Sequence, residues 1–324
     1  MSFGKVIKLS TGQDIPQIGL GTWLSKPQEV EHAVEWAVRA GYRHLDLAMI
    51  YENQHEVGAA LKKVIPSVCK REDLFMTSKL WNSSHQPQVA EAELDETLKQ
   101  LGTDYLDLYL VHWPVAFIPG KGLNPINPDN GQKHLDTETS LVDTWKAMIK
   151  LKETGKVKAI GVSNFTIDHI KGIIAATGVV PVANQIEAHP LLPQDDLVAF
   201  CKEQNIHITA YSPLGNNLLN KPMLTEHASI KEVAAKLDAT PAQVLVAWGA
   251  YRGYSVIPKS VQHERVISNF KQVELSKEDY EKVSAVGHNN HTRYNTPAGY
   301  SPKWDINLFD EPIELSATHK VKVQ

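Results

Sequence analysis

The chain has 324 residues, of which 42% are hydrophobic and 22% charged, with 33 lysines and arginines against 37 aspartates and glutamates. This length allows two average domains or one large barrel, and in either case predicts a sizeable core. The net charge of −4 without a basic run argues against a nucleic-acid-binding protein, and no apolar stretch approaches the ~20 residues that cross a bilayer.

The N-terminal stretch and the cysteines predict the compartment. Residues 1–5 contain no apolar signal region, and Cys69 and Cys201 are too few for a disulfide framework or a paired-cysteine metal site. We therefore expect a soluble, cytoplasmic protein without membrane or nucleic-acid partners. The absence of a long coiled coil predicts a monomer, and the absence of ligand spacing predicts no metal.

In chain order, a hairpin is predicted first, because Gly12 lies in a turn between two extended pieces of residues 5–15. Runs rich in Val, Ile, Leu and Tyr then recur, and several of the stretches between them have helical periodicity, which is typical of parallel βαβ units. The predicted strands are residues 18–22, 44–47, 74–79, 105–112, 159–163, 182–186, 207–211 and 255–258.

Two predicted helices have an apolar stripe at helical spacing, and a third has a strong start signal. Thr240 precedes Pro241 and stands three residues before Gln243, which predicts a capped helix start at this point. The stripes are Val30, Ala33, Val34 and Ala37 in one helix and Ala90, Leu94, Leu98 and Leu101 in the other.

Eight strands that alternate with helices predict an α/β protein: one (β/α)8 TIM barrel domain over residues 1–324, with the hairpin as a plug at one end. A doubly wound dinucleotide-binding fold is less favoured, because the segment from Gly19 to Leu24 has Gly-x-Gly but lacks the third glycine. A long loop follows the fourth strand at residues 114–136. The tail, residues 288–324, contains Tyr300, Trp304 and Phe309, and we expect it to fold over the barrel mouth.

The ends of the predicted strands carry ionisable groups. Asp46, Lys79 and His112 each close a strand, and Tyr51 follows shortly after the second one. Since active sites of such barrels lie at the carboxyl ends of the strands, these groups are expected to meet. A nearby ammonium stabilises a phenolate, so this set predicts a tyrosine that donates a proton to a carbonyl, with Asp46 holding Lys79 and His112 orienting the substrate oxygen.

A hydride must then come from an organic cofactor, because no metal site is predicted. Ser163, Asn164 and Gln185 offer hydroxyl and amide groups for a nicotinamide carboxamide, and Tyr211 offers a flat face for its ring. Lys259 and the nearby Arg265, at a predicted helix N-terminus, suit a 2′-phosphate and therefore NADPH over NADH.

These segments resemble the aldo-keto reductase superfamily, and within it fungal aldehyde reductases and glycerol dehydrogenases. The matching motifs include residues 41–48, 78–81, 105–114, 161–165, 184–187, 209–215 and 257–260. The resemblance implies a (β/α)8 barrel that reduces carbonyl compounds with NADPH, and a catalytic tetrad of Asp46, Tyr51, Lys79 and His112. It implies cofactor-binding roles for Gly21, Thr22, Trp23, Asp46, Ser163, Asn164, Gln185, Tyr211, Ser212, Leu214, Asn216, Lys259, Ser260, Val261, Arg265 and Asn269.

Substrate choice is expected to depend on apolar walls near the tetrad. The predicted substrate-binding residues are Trp23, Ile50, Tyr51, Trp81, His112, Trp113 and Trp304, with Met49 and Phe117 beside them. Such a pocket suits short to medium aldehydes and activated ketones. A sugar substrate, or glycerol oxidation in the reverse direction, stays open as an alternative.

Two further functions are open at this point. Lys79 could form a Schiff base as in an aldolase, which the cofactor segments argue against. The chain could also be a cofactor-bound structural or channel-associated subunit, although such a protein would be free to lose members of the tetrad. Two features point to altered cofactor contacts: Gln262 and Ser268 replace the threonine and glutamate of many relatives, and the loop at residues 216–222 is short.

Overall fold

The computed structural model describes residues 5–216, 219 and 221–324, which fall into two compact units. The first unit contains the described part of Met1–Leu47 together with Asn53–Met76 and Gln185–Asn295. The second contains Ala48–Glu52, Thr77–Asn184 and Thr296–Gln324. The described part does not include residues 1–4, which belong to the stretch used to predict the compartment. It also omits three residues of the short loop at residues 216–222. The single domain over residues 1–324 stays a prediction.

The described residues form twelve short strands. In chain order they are β1 (Val6–Lys8), β2 (Asp14–Pro16), β3 (Leu20–Gly21), β4 (His44–Asp46), β5 (Phe75–Leu80), β6 (Leu108–Val111), β7 (Ile160–Ser163), β8 (Ala183–Glu187), β9 (His207–Tyr211), β10 (Ser255–Val256), β11 (Ile306–Asn307) and β12 (His319–Lys320). All eight predicted core strands are present, and most differ from the prediction by one to three residues at an end.

Ten α-helices lie in the same part of the chain. They are α1 (Glu29–Ala40), α2 (Gln54–Val64), α3 (Pro87–Leu101), α4 (Leu141–Glu153), α5 (Ile167–Thr177), α6 (Asp195–Glu203), α7 (Ala228–Lys236), α8 (Pro241–Tyr251), α9 (His263–Phe270) and α10 (Lys277–Ser284). Short 3-10 helices are Met49–Tyr51, Arg71–Asp73, Asn82–Ser84, Leu224–Glu226, Ala285–Gly287, Pro297–Gly299 and Pro312–Glu314. None of the described helices is long and apolar enough to cross a membrane.

Strands β3 to β10 form one parallel sheet in which each strand pairs with the next in sequence. Within the first unit, Ile18 bridges Val256 and Gly21 bridges Lys259, so the last strand of the sheet also pairs beside the first. One α-helix separates each of these strands from the following one, except that two, α7 and α8, lie between β9 and β10. This order is that of a (β/α)8 fold, which confirms the predicted fold class.

The predicted hairpin is formed by β1 and β2 in the first unit. The two strands are antiparallel with Val6 opposite Pro16, and the turn between them contains Gly12 at φ +84°, a conformation that favours glycine. The Pro16 carbonyl lies 3.1 Å from Nδ1 of His44, the first residue of β4. The hairpin therefore packs at the amino end of that strand, on the side expected for a plug.

Local sequence explains the helices that carry the core. The predicted apolar stripes are buried on α1 and α3. At the start of α8, the Gln243 amide N–H donates to the Thr240 hydroxyl at 3.2 Å, while the Gln243 side chain accepts from the Thr240 amide at 2.9 Å. The helix after β10 differs from the prediction: α9 begins at His263, so Lys259 and Ser260 lie in the loop before it.

The long loop and residues 296–324 of the tail belong to the second unit, whereas residues 288–295 belong to the first. Bridges between Phe117 and Leu135 and between Ile126 and Lys133 fold the loop on itself. In the tail, β11 and β12 pair in parallel, and Trp304 is buried against the residues that follow β5 and β6. The tail thus covers the carboxyl ends of these two strands, as expected for a tail that folds over the barrel mouth.

Candidate active site

Three of the four predicted catalytic residues come together in the second unit. Lys79 lies on β5 and is fully buried, and its Nζ donates to the phenolic oxygen of Tyr51 at 3.4 Å. The ring of His112, the residue directly after β6, stands edge-on to the Tyr51 ring with a centroid distance of 5.8 Å. Since β5 and β6 are parallel neighbours, their carboxyl ends bring Lys79 and His112 to the same edge of the sheet.

The ammonium of Lys79 lies beside the phenolic oxygen of Tyr51. A buried cation loses its hydration, and the loss is offset by groups that carry negative charge. A phenolate 3.4 Å from the ammonium would be such a group. The pair therefore has the arrangement of a phenol whose proton is made easier to remove by a neighbouring charge.

His112 is neutral in this environment. Burial holds the pKa of its imidazole well below the usual range, and the nearby charges of Lys79 and His85 lower it further. Its backbone is fixed by Asn164, whose side-chain amide donates to the His112 carbonyl at 2.9 Å. A neutral imidazole has one N–H donor, so His112 can hydrogen-bond to a substrate oxygen without itself carrying charge.

Asp46 is described with the first unit, at the end of β4. Its side chain is buried, and its Oδ2 accepts from the side-chain amide of Gln185 at 2.6 Å. The Thr22 hydroxyl donates to the Asp46 carbonyl at 2.7 Å, and Asn53 in turn donates to the Thr22 carbonyl at 3.0 Å. The sequence predicted that Asp46 contacts Lys79 and that Gln185 contacts the nicotinamide carboxamide, whereas in the structure Asp46 and Gln185 are hydrogen-bonded to each other. The role of Asp46 toward Lys79 stays a prediction.

A cluster of large apolar side chains in the second unit borders His112; we call it the aromatic cluster. The ring of Trp304 lies 4.8 Å from Phe117 and 5.5 Å from Trp113, and that of Trp81 lies 5.2 Å from His112. The buried members are Met49, Trp81, Trp113, Val115, Phe117, Trp304, Ile306 and Leu308, with Ile50 among the half-buried residues packed on them. Loop and tail thus build one apolar wall beside the imidazole.

Trp23 was predicted to share this wall. It lies half-buried in the first unit, shortly after β3. Its predicted contacts with substrate and cofactor stay predictions.

Trp81 is held by two residues that sequence analysis missed. Its indole N–H donates to the Leu123 carbonyl at 2.6 Å, and its backbone N–H donates to a carboxylate oxygen of Glu93, also at 2.6 Å. Burial raises the pKa of Glu93 to about 7, although hydrogen bonds from Ser84 and Trp81 act to lower it. Glu93 stands three residues after Ala90 on the buried stripe of α3, and this spacing is the signal that could have identified it.

Several predicted cofactor residues lie at strand ends in constrained backbone conformations. In the second unit, Ser163 and Asn164 are buried at the end of β7, and Asn164 has φ +64°. In the first unit, Ser212 follows β9 with φ +46°, and a Cβ on Gly21 would approach the Ile257 carbonyl to 2.9 Å. Left-handed non-glycine residues are uncommon and concentrate at functional sites. Thr22 is buried, whereas Tyr211, Leu214 and Asn216 are half-buried.

The loop after β10 and the start of α9 combine two cations with an uncapped helix end. The ammonium of Lys259 is half-buried and donates to the Leu24 carbonyl at 2.8 Å. Burial lowers its pKa, which the charge of Glu29 partly offsets. No side chain caps α9 at Gln262, and Arg265 is exposed in its first turn. An anion would compensate both cations and the free N–H groups, so this segment fits a phosphate.

The remaining predicted residues of this segment lie around the same loop and helix. Ser260 and Asn269 are buried, and Val261 is half-buried. The Ser260 hydroxyl accepts from the Gln262 amide at 3.1 Å and so shapes the loop. Across the described part of the chain, no three His, Cys, Asp or Glu residues are arranged to hold a metal ion.

Comparisons with known proteins agree with this arrangement. Residues 17–288 match the model of the Aldo/keto reductase family. The chain is 48% identical to a D/L-glyceraldehyde reductase of Hypocrea jecorina, and the alignment covers all of both chains. It is 45% identical to a glycerol 2-dehydrogenase (NADP(+)) of Saccharomyces cerevisiae, and that alignment covers 87% of this chain and 90% of that protein. The structure of aldose reductase from Schistosoma japonicum superposes with a TM-score of 0.86 at 39% identity, covering 95% of this chain and 99% of that one.

Proposed function

This chain belongs to the aldo/keto reductase family and is an NADP-dependent oxidoreductase that acts on carbonyl compounds, and we propose that it reduces aldehydes with Tyr51 as proton donor. The observation that carries the proposal is the 3.4 Å contact between the Lys79 ammonium and the Tyr51 phenol, beside a neutral His112. This pair combines a proton donor with a charge that stabilises its conjugate base, and it lies next to the aromatic cluster.

The proton transfer follows from these three side chains. The substrate carbonyl oxygen gains negative charge as its carbon is reduced, and the Tyr51 hydroxyl donates its proton to that oxygen. The phenolate that remains is stabilised by Lys79 until it regains a proton from solvent. His112 donates its one N–H to the same oxygen and orients it. In the reverse direction, the phenolate accepts the proton of an alcohol.

The fourth predicted member of the tetrad is assigned by resemblance. We expect Asp46 to support the charge of Lys79. Its carboxylate accepts a hydrogen bond from the side-chain amide of Gln185 at 2.6 Å, which holds the carboxylate in position.

The cofactor we propose is NADPH, which when bound supplies the hydride that the carbonyl carbon accepts. Lys259 in the loop before α9 and Arg265 in the first turn of α9 support this choice, because they provide two cations where the 2′-phosphate that distinguishes NADPH from NADH would be bound. Roles of Ser163, Asn164 and Gln185 toward the carboxamide, and of Tyr211 toward the nicotinamide ring, stay predictions.

The aromatic cluster supports a short to medium aldehyde as substrate. Its walls are apolar, so an aldehyde loses little by leaving water except at the carbonyl, which His112 and Tyr51 can satisfy. The names of the similar proteins favour a short hydroxyaldehyde such as glyceraldehyde, or glycerol oxidation in the reverse direction. A cytoplasmic monomer is the state that we expect.

Initial rates of NADPH and NADH oxidation test the function. The panel should run from glyceraldehyde and xylose to aromatic aldehydes and 3-oxo esters. We expect aldehydes to be reduced, with NADPH preferred over NADH. The outcome that contradicts the proposal is aldehyde turnover without any nicotinamide cofactor together with a substrate adduct on Lys79 that borohydride traps, since this would identify a Schiff-base enzyme.

A further inference from the structure

A buried glutamate organises the turn in the tail. Glu314, at the end of the 3-10 helix Pro312–Glu314, has 0% of its surface exposed. Its Oε1 accepts from the backbone N–H of Leu308 at 3.3 Å. Its Oε2 accepts from the backbone N–H groups of Phe309 at 2.9 Å and Glu311 at 3.1 Å. Burying a carboxylate is costly unless several donors satisfy it, so this turn is built around the charge of Glu314.

Two of the three residues held in this way, Leu308 and Phe309, belong to the aromatic cluster or pack on it. Leu308 is a buried member, and the ring of Phe309 lies 6.4 Å from that of Trp113. Both backbone N–H groups are bound by Glu314, so loss of the carboxylate would leave them without an acceptor at this point. An unsatisfied buried N–H costs about 1–3 kcal/mol, and the turn would open to water to avoid it.

The other end of the same segment is held by the end of the tail. Strand β11 follows Trp304 closely and pairs with β12. The Asp305 carboxylate accepts from the Thr318 amide at 3.2 Å, and the Leu141 amide at the start of α4 donates to the Lys322 carbonyl at 2.9 Å. Residues 304–309 are therefore fixed on one side by β12 and on the other by Glu314, whose carboxylate accepts three backbone N–H groups of the turn. The side chain of Asn307 adds one exposed bond, accepting from the Asp310 amide at 3.0 Å.

We propose that Glu314 is a positioning residue that sets the affinity for aldehydes large enough to touch the tail. The inference rests on the proposed function, because it assumes that the aromatic cluster binds substrate. Packing against a distant part of the substrate is the same before and during reaction. Loss of Glu314 is therefore expected to raise KM for such substrates and to leave kcat nearly unchanged, while a small aldehyde such as glyceraldehyde is little affected.

The test compares Glu314→Ala and Glu314→Gln with the wild type and with Glu278→Ala, which removes an exposed carboxylate from α10. For an aromatic aldehyde, Glu314→Ala should raise KM roughly tenfold, because the substrate loses its packing against the aromatic side chains of the tail. The affinity for NADPH should be unchanged. Glu314→Gln keeps one acceptor oxygen, so its KM for the aromatic aldehyde should lie between those of the wild type and Glu314→Ala. Hydrogen exchange of residues 306–314 should be fastest in Glu314→Ala, intermediate in Glu314→Gln and at the wild-type rate in Glu278→Ala.

Two results separate this proposal from the proposed function. A folded Glu314→Ala protein with wild-type exchange in the tail and an unchanged KM for the aromatic aldehyde would overturn the positioning role. An equal rise in KM for glyceraldehyde and the aromatic aldehyde would overturn it as well. If the wild type reduces no aldehyde at all, the proposed function fails, whereas the exchange measurement still tests what Glu314 holds in place.

Discussion

Replacing Glu93 by glutamine should make the protein more stable at neutral and alkaline pH. Glu93 is buried on α3 and accepts the backbone N–H of Trp81 at 2.6 Å. Burial raises the pKa of its carboxyl to about 7 from an ordinary value of 4.5, against the lowering effect of its hydrogen bonds from Ser84 and Trp81. Above pH 7 the folded protein must therefore hold a buried negative charge that burial disfavours.

The sign and the size follow from proton linkage. Between pH 4.5 and about 7 the unfolded chain releases the Glu93 proton while the folded protein keeps it, so the free energy of unfolding falls as pH rises. At about 1.4 kcal/mol per pKa unit, the fall is roughly 3 kcal/mol. Glutamine keeps an oxygen for the Trp81 N–H and cannot ionise. The free energy of unfolding of Glu93→Gln minus that of the wild type should therefore be up to about 3 kcal/mol larger at pH 8 than at pH 4.5.

A second buried group has the opposite pH dependence. Burial lowers the pKa of His85 to about 3 from an ordinary 6.5, although the charge of Asp136 acts to raise it. The unfolded chain binds a proton at His85 that the folded protein does not, so the free energy of unfolding rises with pH between about 3 and 6.5. This contribution is present in both proteins and cancels in their difference, which isolates Glu93.

The assay is urea unfolding of the wild type and Glu93→Gln at intervals from pH 5 to pH 8. Glu153→Gln, at an exposed position on α4, is the matched control, and its difference from the wild type should not depend on pH. A difference between Glu93→Gln and the wild type that stays constant over this range would refute the reasoning, because it would mean that Glu93 has the same pKa folded and unfolded.

Three further substitutions test separate parts of the structure. Lys259→Met should weaken the binding of NADPH at least tenfold and that of NADH much less, as measured by fluorescence titration; an equal loss for both would contradict the assignment to the 2′-phosphate. Thr240→Ala removes the hydroxyl bonded to the Gln243 amide and should lower the free energy of unfolding by about 1 kcal/mol in urea unfolding. Gly172→Val would place a side chain on Val323, so the last residues of the tail should exchange amide hydrogens faster than in the wild type; unchanged exchange would contradict this contact.

Much of the fold could be predicted because local patterns and tertiary structure agree. The strand runs follow β-branched and aromatic composition, and the start of α8 follows from Thr240 and Gln243, whose side chains cap it locally. The start of α9 was predicted too early. Lys259 and Ser260 are instead held in a loop by contacts that the sequence does not display, including the bond from Lys259 to the distant Leu24 carbonyl.

The candidate site was predictable to the extent that strand ends determine it. Lys79 and His112 lie close together because β5 and β6 end beside each other, and Tyr51, in the 3-10 helix Met49–Tyr51, contacts both. Glu93 and Glu314 do not lie at strand ends, and a glutamate is ordinarily expected to be exposed, so only the place of Glu93 on the apolar stripe of α3 was a signal. Their burial depends on backbone N–H groups that tertiary folding brings to them.

The most direct test of the central claim is single-turnover NADPH oxidation by Tyr51→Phe with glyceraldehyde. Phenylalanine keeps the ring beside His112 and removes only the proton donor, so the rate should fall by about 10²–10⁴. NADPH affinity should match the wild type, and Tyr251→Phe, at an exposed tyrosine, should change neither quantity. A Tyr51→Phe rate within a few-fold of the wild type would contradict the account, since another group would then supply the proton.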